Sequence, residues 1–295
     1  MATTAGEALL AYLEQQLAEL RQHAPGVLEK QPESVHQMRV AARRFRSLLA
    51  SGRPLFDDGT VEPLRAELRW LSGLLGAARD PGVAHERLTT LLAEEPESLR
   101  GLSGPHSPAA HRIDEELDAL ANAGFEAVLE ALGDERYAQL LADLERFLAD
   151  PALSAKAAGA PGPAVGGLVA KDRRRLRRAV KVLPDAKRGH AARDAALHEV
   201  RKAAKRLRYS AELAAAVPGA GGAKRLAKTA RKIQQVLGLH QDSVVARELL
   251  AELGGGALGR GESGFSYGRL HAKEEILAAA SERAFFKIWK KFPAS

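Results

Sequence analysis

The sequence predicts an all-α protein built from two pseudo-symmetric helical bundles. Alanine, leucine, arginine and glutamate dominate the chain, and aromatic residues make up only 5% of it, a composition that favours helices over strands. Apolar residues recur at intervals of three and four, which is the period of a helix that buries one face. A segment of the first half also recurs in the second half, which indicates an internal duplication.

The repeat aligns residues 35–88 with residues 197–250 without a gap, and 16 of the 54 aligned positions are identical. The identities fall on polar as well as apolar positions, and they include His36 with His198, Arg39 with Arg201, Arg44 with Arg206, Arg46 with Arg208, Arg69 with Arg231, Leu75-Gly76 with Leu237-Gly238, and Asp80 with Asp242. Duplicated units usually pack about a pseudo-two-fold axis. We therefore expect the two copies to face one another or to form two walls of a common groove.

The start of each copy predicts a helix with one apolar face and one basic face. At 100° per residue, Met38, Ala42 and Phe45 share the buried side of the first helix, and the second helix repeats the arrangement. The basic faces, which we call the cation ladders, carry His36, Arg39, Arg43 and Arg46 in the first copy and His198, Arg201, Lys205 and Arg208 in the second. Successive rungs stand about 5 Å apart, a spacing suited to a linear polyanion.

Proline and glycine mark the ends of the other predicted elements. The first half is predicted to contain helices at 5–23, 32–52, 61–76, 81–93, 109–132 and 135–148, with a loop at 101–108. The second half is predicted to contain helices at 165–183, 197–211 and 223–239, a glycine-rich loop at 254–268, and one or two C-terminal helices. Pro25-Gly26 is expected to close the first helix. Asp80 and Asp242 each follow a Leu-Gly break, so we interpret them as N-caps.

Residues 150–163 are rich in proline, glycine, alanine and serine, and we place the boundary between the bundles there. Residues 1–150 are predicted to form the first bundle and residues 151–295 the second, the two together making one domain.

Positive charge is concentrated in one part of the chain. The formal net charge is +7, but residues 165–240 hold 20 Lys and Arg against 5 Asp and Glu, which leaves the remainder acidic. A local basic region on an otherwise acidic chain indicates a specific anionic ligand. Further cations on these helices are candidates for the same ligand, and they are Arg65, Arg69, Arg174, Arg178, Lys181, Lys202, Lys224, Lys228, Arg231 and Lys232.

The chain contains no cysteine, which excludes disulfides and thiolate chemistry and fits a reducing cytoplasm. No apolar run approaches the roughly 20 residues that span a bilayer, and the N-terminal segment lacks the basic region of a signal peptide. We expect a soluble intracellular protein without membrane association.

Other motifs carry weaker signals. His36 and His198 suit a phosphate donor, a pH-sensitive cation or a structural hydrogen bond, and the sequence leaves these alternatives open. No histidine shows HExxH or short carboxylate spacing, so we predict no protein-built metal site and no cofactor, although divalent cations can accompany a polyanion. The segment 218–224, PGAGGAK, lacks the GK[ST] ending and the preceding strand of a phosphate-binding loop, and a turn between helices is the better interpretation.

The ladder segments VHQMRVAARRFRSLL and LHEVRKAAKRLRYSA, with LGAARDPGVA and LGLHQDSVVA after them, resemble the CHAD family of conserved histidine α-helical domains. The resemblance covers nearly the whole chain. It implies two helical bundles around a basic central pocket or channel, binding of inorganic polyphosphate by the ladder residues, and association with polyphosphate granules in the bacterial cytoplasm. Some relatives carry a CYTH triphosphatase domain, but its E-x-E-x-K signature does not occur here, so the resemblance does not imply catalysis.

Several functions remain to be compared. Non-catalytic binding of inorganic polyphosphate is the leading hypothesis. A nucleic-acid-binding helical protein would use the same cations, but few aromatic residues are available to stack on bases, so nucleic acid is expected only as a weaker competitor. A phosphoryl-transfer enzyme would need metal-binding carboxylates, which the basic faces almost lack, and we predict no enzyme. A scaffold that recruits granule-associated proteins is compatible with polyphosphate binding.

Overall fold

The computed structural model describes residues 3–183, 190–217 and 222–293, which form ten α-helices. These are α1 (Ala5–Leu28), α2 (Pro32–Gly52), α3 (Val61–Ala93), α4 (Arg100–Ser103), α5 (Pro108–Gly133), α6 (Glu135–Ala149), α7 (Pro161–Lys181), α8 (His190–Ala215), α9 (Ala223–Ala257) and α10 (Phe265–Trp289). Within these ranges the only β-type pairing is an isolated bridge between Phe56 and Leu153. The prediction of an all-α fold is confirmed.

Helices that are adjacent in the chain mostly pack against each other. In the first half α1 packs on α2, α2 on α3, and α3 on α5; in the second half α7 packs on α8, α8 on α9, and α9 on α10. The two sets meet where α2 contacts α8, and α1 with α7 and α3 with α9 make further contacts. This junction brings the two ladder helices together.

The buried apolar side chains of the described residues form three clusters. The largest is built on α1, α2, α3 and α6, and it also includes Tyr209 and Leu213 of α8. The second joins α3 and α5 to α9 and α10, and the third lies among α7, α8, α9 and α10. Two of the three clusters therefore contain residues from both sides of residue 150, so the two helix sets share their cores.

The predicted helix break at Asp80-Pro81 is wrong, because α3 runs without interruption from Val61 to Ala93. Pro81 lacks the N–H that would bond to the carbonyl of Ala77 one turn earlier. Gly124 of α5 lies so close to that carbonyl that a Cβ at this glycine would stand 2.4 Å from the oxygen. The packing of α5 on α3 therefore extends across the proline and holds the helix together.

Two further predicted boundaries are corrected. α1 continues through Pro25 to Leu28, because the proline removes a single N–H and its own carbonyl accepts from the N–H of Glu29. α9 runs through Asp242, which is therefore not an N-cap, and ends at Ala257 inside the predicted glycine-rich loop. A Cβ on Gly254 would stand 3.0 Å from the Cβ of the buried Tyr267, so this glycine lets α9 and α10 approach closely.

Residues 150–160, at the predicted boundary, lie along the first helix set. The N–H of Asp57 donates to the carbonyl of Ala152 at 2.9 Å, and the N–H of Ser154 donates to the carbonyl of Leu55 at 3.1 Å. The predicted loop at 101–108 begins inside the short helix α4. The predicted turn at 218–224 lies mostly outside the described residues. No helix in the described part of the chain is both long enough and apolar enough to cross a membrane.

Candidate functional site

A cavity of about 1440 Å³ lies among α2, α3, α8 and α9, with a contribution from α7. The two ladder helices form two of its walls. Its lining contains 15 Lys and Arg residues but only 3 Asp and Glu residues, so the cavity is strongly positive. The central geometric expectation from the sequence was that the cations of both ladders line one concavity, and both ladders do line this cavity.

The helical period explains why the ladder side chains point into the cavity. Met38, Ala42 and Phe45 of α2 are fully buried in the largest apolar cluster, which fixes the rotation of the helix about its axis. On α8, Val200 and Leu207 are buried in the same way in the third cluster. The ladder residues lie on the remaining faces, where they are half-buried at the junction of α2 and α8.

The structure brings together twelve of the residues predicted from the sequence. The cavity wall contains His36, Arg39, Arg43, Arg46, Arg65, Arg69, His198, Arg201, Lys202, Lys205, Arg208 and Arg231. The other six predicted residues are exposed and are not part of the wall, and they are Arg174, Arg178 and Lys181 on α7 and Lys224, Lys228 and Lys232 on α9. Of α7, only the side that carries Arg175 and Ala179 reaches the cavity.

Five cations of the wall were absent from the sequence-based candidates, and they are Arg44, Arg79, Arg87, Arg175 and Arg206. The internal repeat contained a signal for two of them, because Arg44 aligns with Arg206 as an identical pair. Arg79 was missed because the predicted break at residue 80 hid the continuous face of α3.

Seven of the fifteen cations on the cavity wall pair with carboxylates. The guanidinium of Arg39 donates two hydrogen bonds to Asp80, at 2.6 and 2.9 Å. Arg208 and Arg231 both donate to Glu212, at 2.8 and 2.9 Å. The structure contains four further sets of pairs on the wall: Arg65 with Glu62, Arg87 with the buried Glu274 and with Ser243, Arg206 with Asp172 and Ser51, and Lys202 with Glu199.

Four ladder cations that lie close together where α2 meets α8, which we call the central group, form no such pairs. In the described part of the chain, the side chains of Arg43, Arg46, Arg201 and Lys205 form no salt bridge and donate no hydrogen bond, although the Asp242 carboxylate attracts Arg201 at longer range. The Nε of Arg201 is buried without a hydrogen-bond partner. Burial lowers the pKa of Arg46 and Arg201, and it lowers the pKa of Arg43 to about 10.

The strongest perturbation falls on Lys205. Burial, reinforced by the positive charges of Arg43, Arg201, Arg46 and Arg39, lowers the pKa of its amine to about 6. This set of neighbours also shows that the ladders converge, because the cations of α2 act on an amine of α8. Uncompensated positive charge is therefore greatest where α2 and α8 meet.

Both ladder histidines line the cavity. Nδ1 of His198 donates to Oε1 of Gln241 on α9 at 2.5 Å, which ties α8 to α9. Burial lowers the pKa of His198, against the effect of this hydrogen bond, and burial together with Arg79 lowers the pKa of His36. In the free protein both histidines are therefore mainly neutral at physiological pH.

The two aspartates of the repeat lie on the cavity wall. Asp80 bonds to Arg39, as described above. Burial raises the pKa of the Asp242 carboxyl, against the attraction of Arg201 and Arg87. Within the described residues, no three His, Asp or Glu side chains are grouped so that they could hold a metal ion.

The glycines of the repeated Leu-Gly pairs lie beneath ladder arginines. A Cβ on Gly76 would stand 3.2 Å from Nη2 of Arg39, and a Cβ on Gly238 would stand 3.6 Å from Nε and Nη2 of Arg201. The missing side chain at Gly76 thus gives the Arg39 guanidinium room to lie across α3 and reach Asp80.

Fold and cavity together define an all-α protein whose two helix sets enclose a cation-lined cavity. The chain belongs to the CHAD domain family, whose model matches residues 11–251. "Uncharacterized protein MT2285" of Mycobacterium tuberculosis (strain CDC 1551 / Oshkosh) is 35% identical over 249 residues, which are 83% of this chain and 45% of that protein. "Uncharacterized protein Rv2226" of strain H37Rv shows the same identity and coverage. The chain therefore spans about half the length of these curated relatives.

Two solved structures share the fold. PptA from Streptomyces chartreusis has a TM-score of 0.81 and 24% identity, with 97% of this chain and 99% of that chain covered. The CHAD domain from the plant Ricinus communis has a TM-score of 0.75 and 24% identity, with 98% and 93% covered. The family resemblance inferred from the ladder segments is confirmed.

Proposed function

We propose that this protein binds inorganic polyphosphate in the cavity between the ladder helices and does not catalyse a reaction on it. The observation that carries the proposal is the central group of Arg43, Arg46, Arg201 and Lys205, which comes from two helices and forms no salt bridge within the described chain. Such a group leaves a region of unbalanced charge in the free protein. A polyanion supplies the missing negative charge.

The chemistry of the wall suits a phosphate polymer. Arginine donates two N–H groups to two phosphate oxygens at once, and lysine acts as a mobile point charge. A contact at the exposed edge contributes less than about 1 kcal/mol. Many contacts on one chain add up, and the release of counterions makes the resulting affinity fall steeply with salt.

The aromatic content of the cavity wall favours polyphosphate over nucleic acid. Tyr209 is the one aromatic residue among the described residues of the cavity wall, and it is buried next to the guanidiniums of Arg44 and Arg208. Base recognition in single strands relies on exposed aromatic platforms, which this wall does not offer. Nucleic acid is therefore proposed only as a weaker, sequence-independent competitor.

The experiment compares two triple variants that remove the same formal charge. Arg43→Gln, Arg46→Gln and Lys205→Gln together remove the unpaired centre of the cavity. The matched control, Arg174→Gln with Arg178→Gln and Lys181→Gln, removes three exposed cations outside the wall. Fluorescence anisotropy with end-labelled polyphosphate measures both at one salt concentration. We expect the cavity variant to lose at least about 100-fold in affinity and the control less than about threefold.

Equal losses in the two variants would overturn the proposed site, because the binding would then reflect overall charge alone. A length series is a further test: affinity per polymer chain should rise from short to long polyphosphate until the cavity is filled. Equal affinity of pyrophosphate and long polyphosphate, counted per molecule, contradicts the proposal. Competition decides against nucleic acid when polyphosphate displaces DNA or RNA at a much lower phosphate concentration.

The absence of catalysis is also a proposal with its own test. Asp80, one of three carboxylates on the wall, is held by Arg39 rather than left free to bind a metal. Incubation with polyphosphate and Mg²⁺ or Mn²⁺, followed by measurement of released phosphate, should show no release above a protein-free control. Release that the cavity variant abolishes would make this protein an enzyme.

Cellular location and partners follow from the same proposal. A cytoplasmic protein with this affinity would be associated with polyphosphate granules, where its acidic outer helices offer a surface for granule-associated proteins. A fluorescent fusion of the cavity variant should lose the granule pattern that the control variant keeps.

A further inference from the structure

Lys205 has an environment that no other described lysine shares. Its amine lies on the cavity wall, half-buried, with Arg39, Arg43 and Arg46 around it from α2 and Arg201 from its own helix. No carboxylate forms a salt bridge with it in the described chain. Like charges from several sides and loss of water both disfavour the ammonium form.

Two other lysines show the contrast. Lys202, one turn earlier on α8, is exposed and paired with Glu199. Lys273 on α10 pairs with the buried Glu95 and also donates to the carbonyl of Leu91 at 2.9 Å. The amine of Lys205 has no such carboxylate partner, and nucleophilic attack requires an amine with a free lone pair.

The same surroundings that deprotonate the amine of Lys205 attract phosphoryl groups. Arg43 and Arg201 form no salt bridge within the described residues, and the Nε of Arg201 is buried without an acceptor. A small acyl phosphate that binds these guanidiniums would lie next to the Lys205 amine, and because it carries far less charge than a polymer it would restore the ammonium form less. Binding in this position turns a reaction between two molecules into one within a complex.

We propose that Lys205 is a site of covalent acylation by small acyl phosphates, with Arg43 and Arg201 holding the phosphoryl group. The lone pair of the Lys205 amine attacks the acyl carbon and forms the C–N bond of an amide. The C–O bond to the phosphoryl group breaks, inorganic phosphate leaves, and the proton lost by the amine passes to phosphate or water. No oxidant, metal or second protein is needed to balance this step.

Acylation would change the cavity permanently. It converts the one amine in the centre of the wall into a neutral amide and adds bulk beside the unpaired arginines. If the proposed function is correct, acylated protein binds polyphosphate more weakly, so acyl-phosphate levels would regulate binding. Bound polyphosphate would in turn protect the amine, because a neighbouring polyanion favours the ammonium form and covers it.

The first experiment incubates the full chain with acetyl phosphate near pH 7.5 and follows each lysine by peptide mapping in a mass spectrometer. An ordinary lysine is only about 0.1% neutral at this pH, whereas a lysine of pKa about 6 is mostly neutral. The weaker nucleophilicity of such an amine offsets part of this advantage. We expect Lys205 to react at least about tenfold faster than the exposed Lys224 and Lys228, and inorganic phosphate to slow only Lys205. Equal rates overturn the proposal.

The second experiment separates amine reactivity from guidance by the arginines. An N-hydroxysuccinimide ester of acetic acid carries no phosphoryl group, so its preference for Lys205 should be smaller than that of acetyl phosphate. Arg43→Gln should lower the rate at Lys205 with acetyl phosphate relative to the ester, and Arg174→Gln, outside the wall, should change neither rate. The same preference with both donors overturns the role of the arginines.

These readouts are independent of polyphosphate binding. Selective acetylation without polyphosphate binding would leave this inference standing and sink the proposed function. Polyphosphate binding without selective acetylation would do the reverse.

Discussion

Replacement of Lys205 by methionine is expected to stabilise the protein by an amount that depends on pH. Methionine keeps the apolar length of the lysine side chain without its charge. The pKa of Lys205 is lowered from 10.5 to about 6 in the folded protein, mainly by burial, and the unfolded chain restores the ordinary value. A lysine whose folded pKa is lowered destabilises the fold fully below that pKa, and the destabilisation disappears as the pH rises towards the unfolded pKa.

The shift fixes an upper limit for this effect. At about 1.4 kcal/mol per pKa unit, it corresponds to about 5 kcal/mol near pH 7 and to about 1.4 kcal/mol near pH 9.5. Small anions that enter the open cavity and movements of the flexible side chain reduce both figures. We therefore expect Lys205→Met to raise the free energy of unfolding by at least about 1 kcal/mol near pH 7 and by clearly less near pH 9.5.

Urea denaturation followed by circular dichroism measures this free energy in chloride buffers that contain no polyvalent anion. Lys202→Met is the matched control, because Lys202 lies on the same helix but is exposed and paired with Glu199. Its substitution should change the free energy of unfolding by less than about 0.5 kcal/mol at either pH. A Lys205→Met protein that is no more stable than the parent near pH 7, or equally more stable at both pH values, refutes the reasoning.

Three further results are expected. Polyphosphate binding should take up protons near pH 7.5, because bound phosphate raises the lowered pKa of Lys205. The affinity should therefore increase as the pH falls towards 6. Calorimetry in two buffers of different ionisation enthalpy measures the number of protons taken up. Asp80→Asn frees Arg39 from its carboxylate and strengthens binding by about two- to tenfold in the anisotropy assay. Gly76→Ala and Gly238→Ala should each gain up to about 1 kcal/mol from helix propensity. A Cβ at Gly76 would crowd the Arg39 guanidinium at 3.2 Å, whereas a Cβ at Gly238 would have its nearest contacts at 3.6 Å. Urea denaturation should therefore show the larger gain in stability for Gly238→Ala.

Each of these expectations has a clear contrary outcome. Identical binding heats in the two buffers would mean that no proton is taken up. Weaker polyphosphate binding by Asp80→Asn would show that the carboxylate positions Arg39 for the ligand instead of competing with it. A larger gain in stability for Gly76→Ala than for Gly238→Ala would show that the Arg39 guanidinium moves aside at no cost.

The sequence was sufficient for the helices that carry a complete apolar face. α2 begins at Pro32 and ends at Gly52 as predicted, because proline, glycine and the buried stripe all act locally. The prediction from the sequence failed at Asp80-Pro81, where the local signal for a helix break is equally strong. There the close approach of Gly124 to Ala77 keeps α3 continuous, and that contact joins positions far apart in the chain.

The same distinction applies to the site. The ladder residues could be found because their spacing repeats and the copies align. Arg87 could not, since its position depends on Glu274 and Ser243, which approach it from distant parts of the chain. Arg174 and Arg175 are neighbours with the same side chain, and only the rotation of α7 against α8 decides that Arg175 alone reaches the cavity.

The pattern of pairing in the cavity links stability to binding. Arg39 and Arg208 have carboxylate partners that limit their repulsion, whereas Arg43 and Lys205 of the central group form no salt bridge within the described residues. Partial burial of unpaired cations destabilises the free protein. An anion that binds at the centre replaces the missing carboxylates, and linkage then requires that its binding raises the free energy of unfolding. Because one group of residues causes both effects, we expect a substitution that stabilises the free fold, such as Lys205→Met, also to weaken the proposed polyphosphate binding.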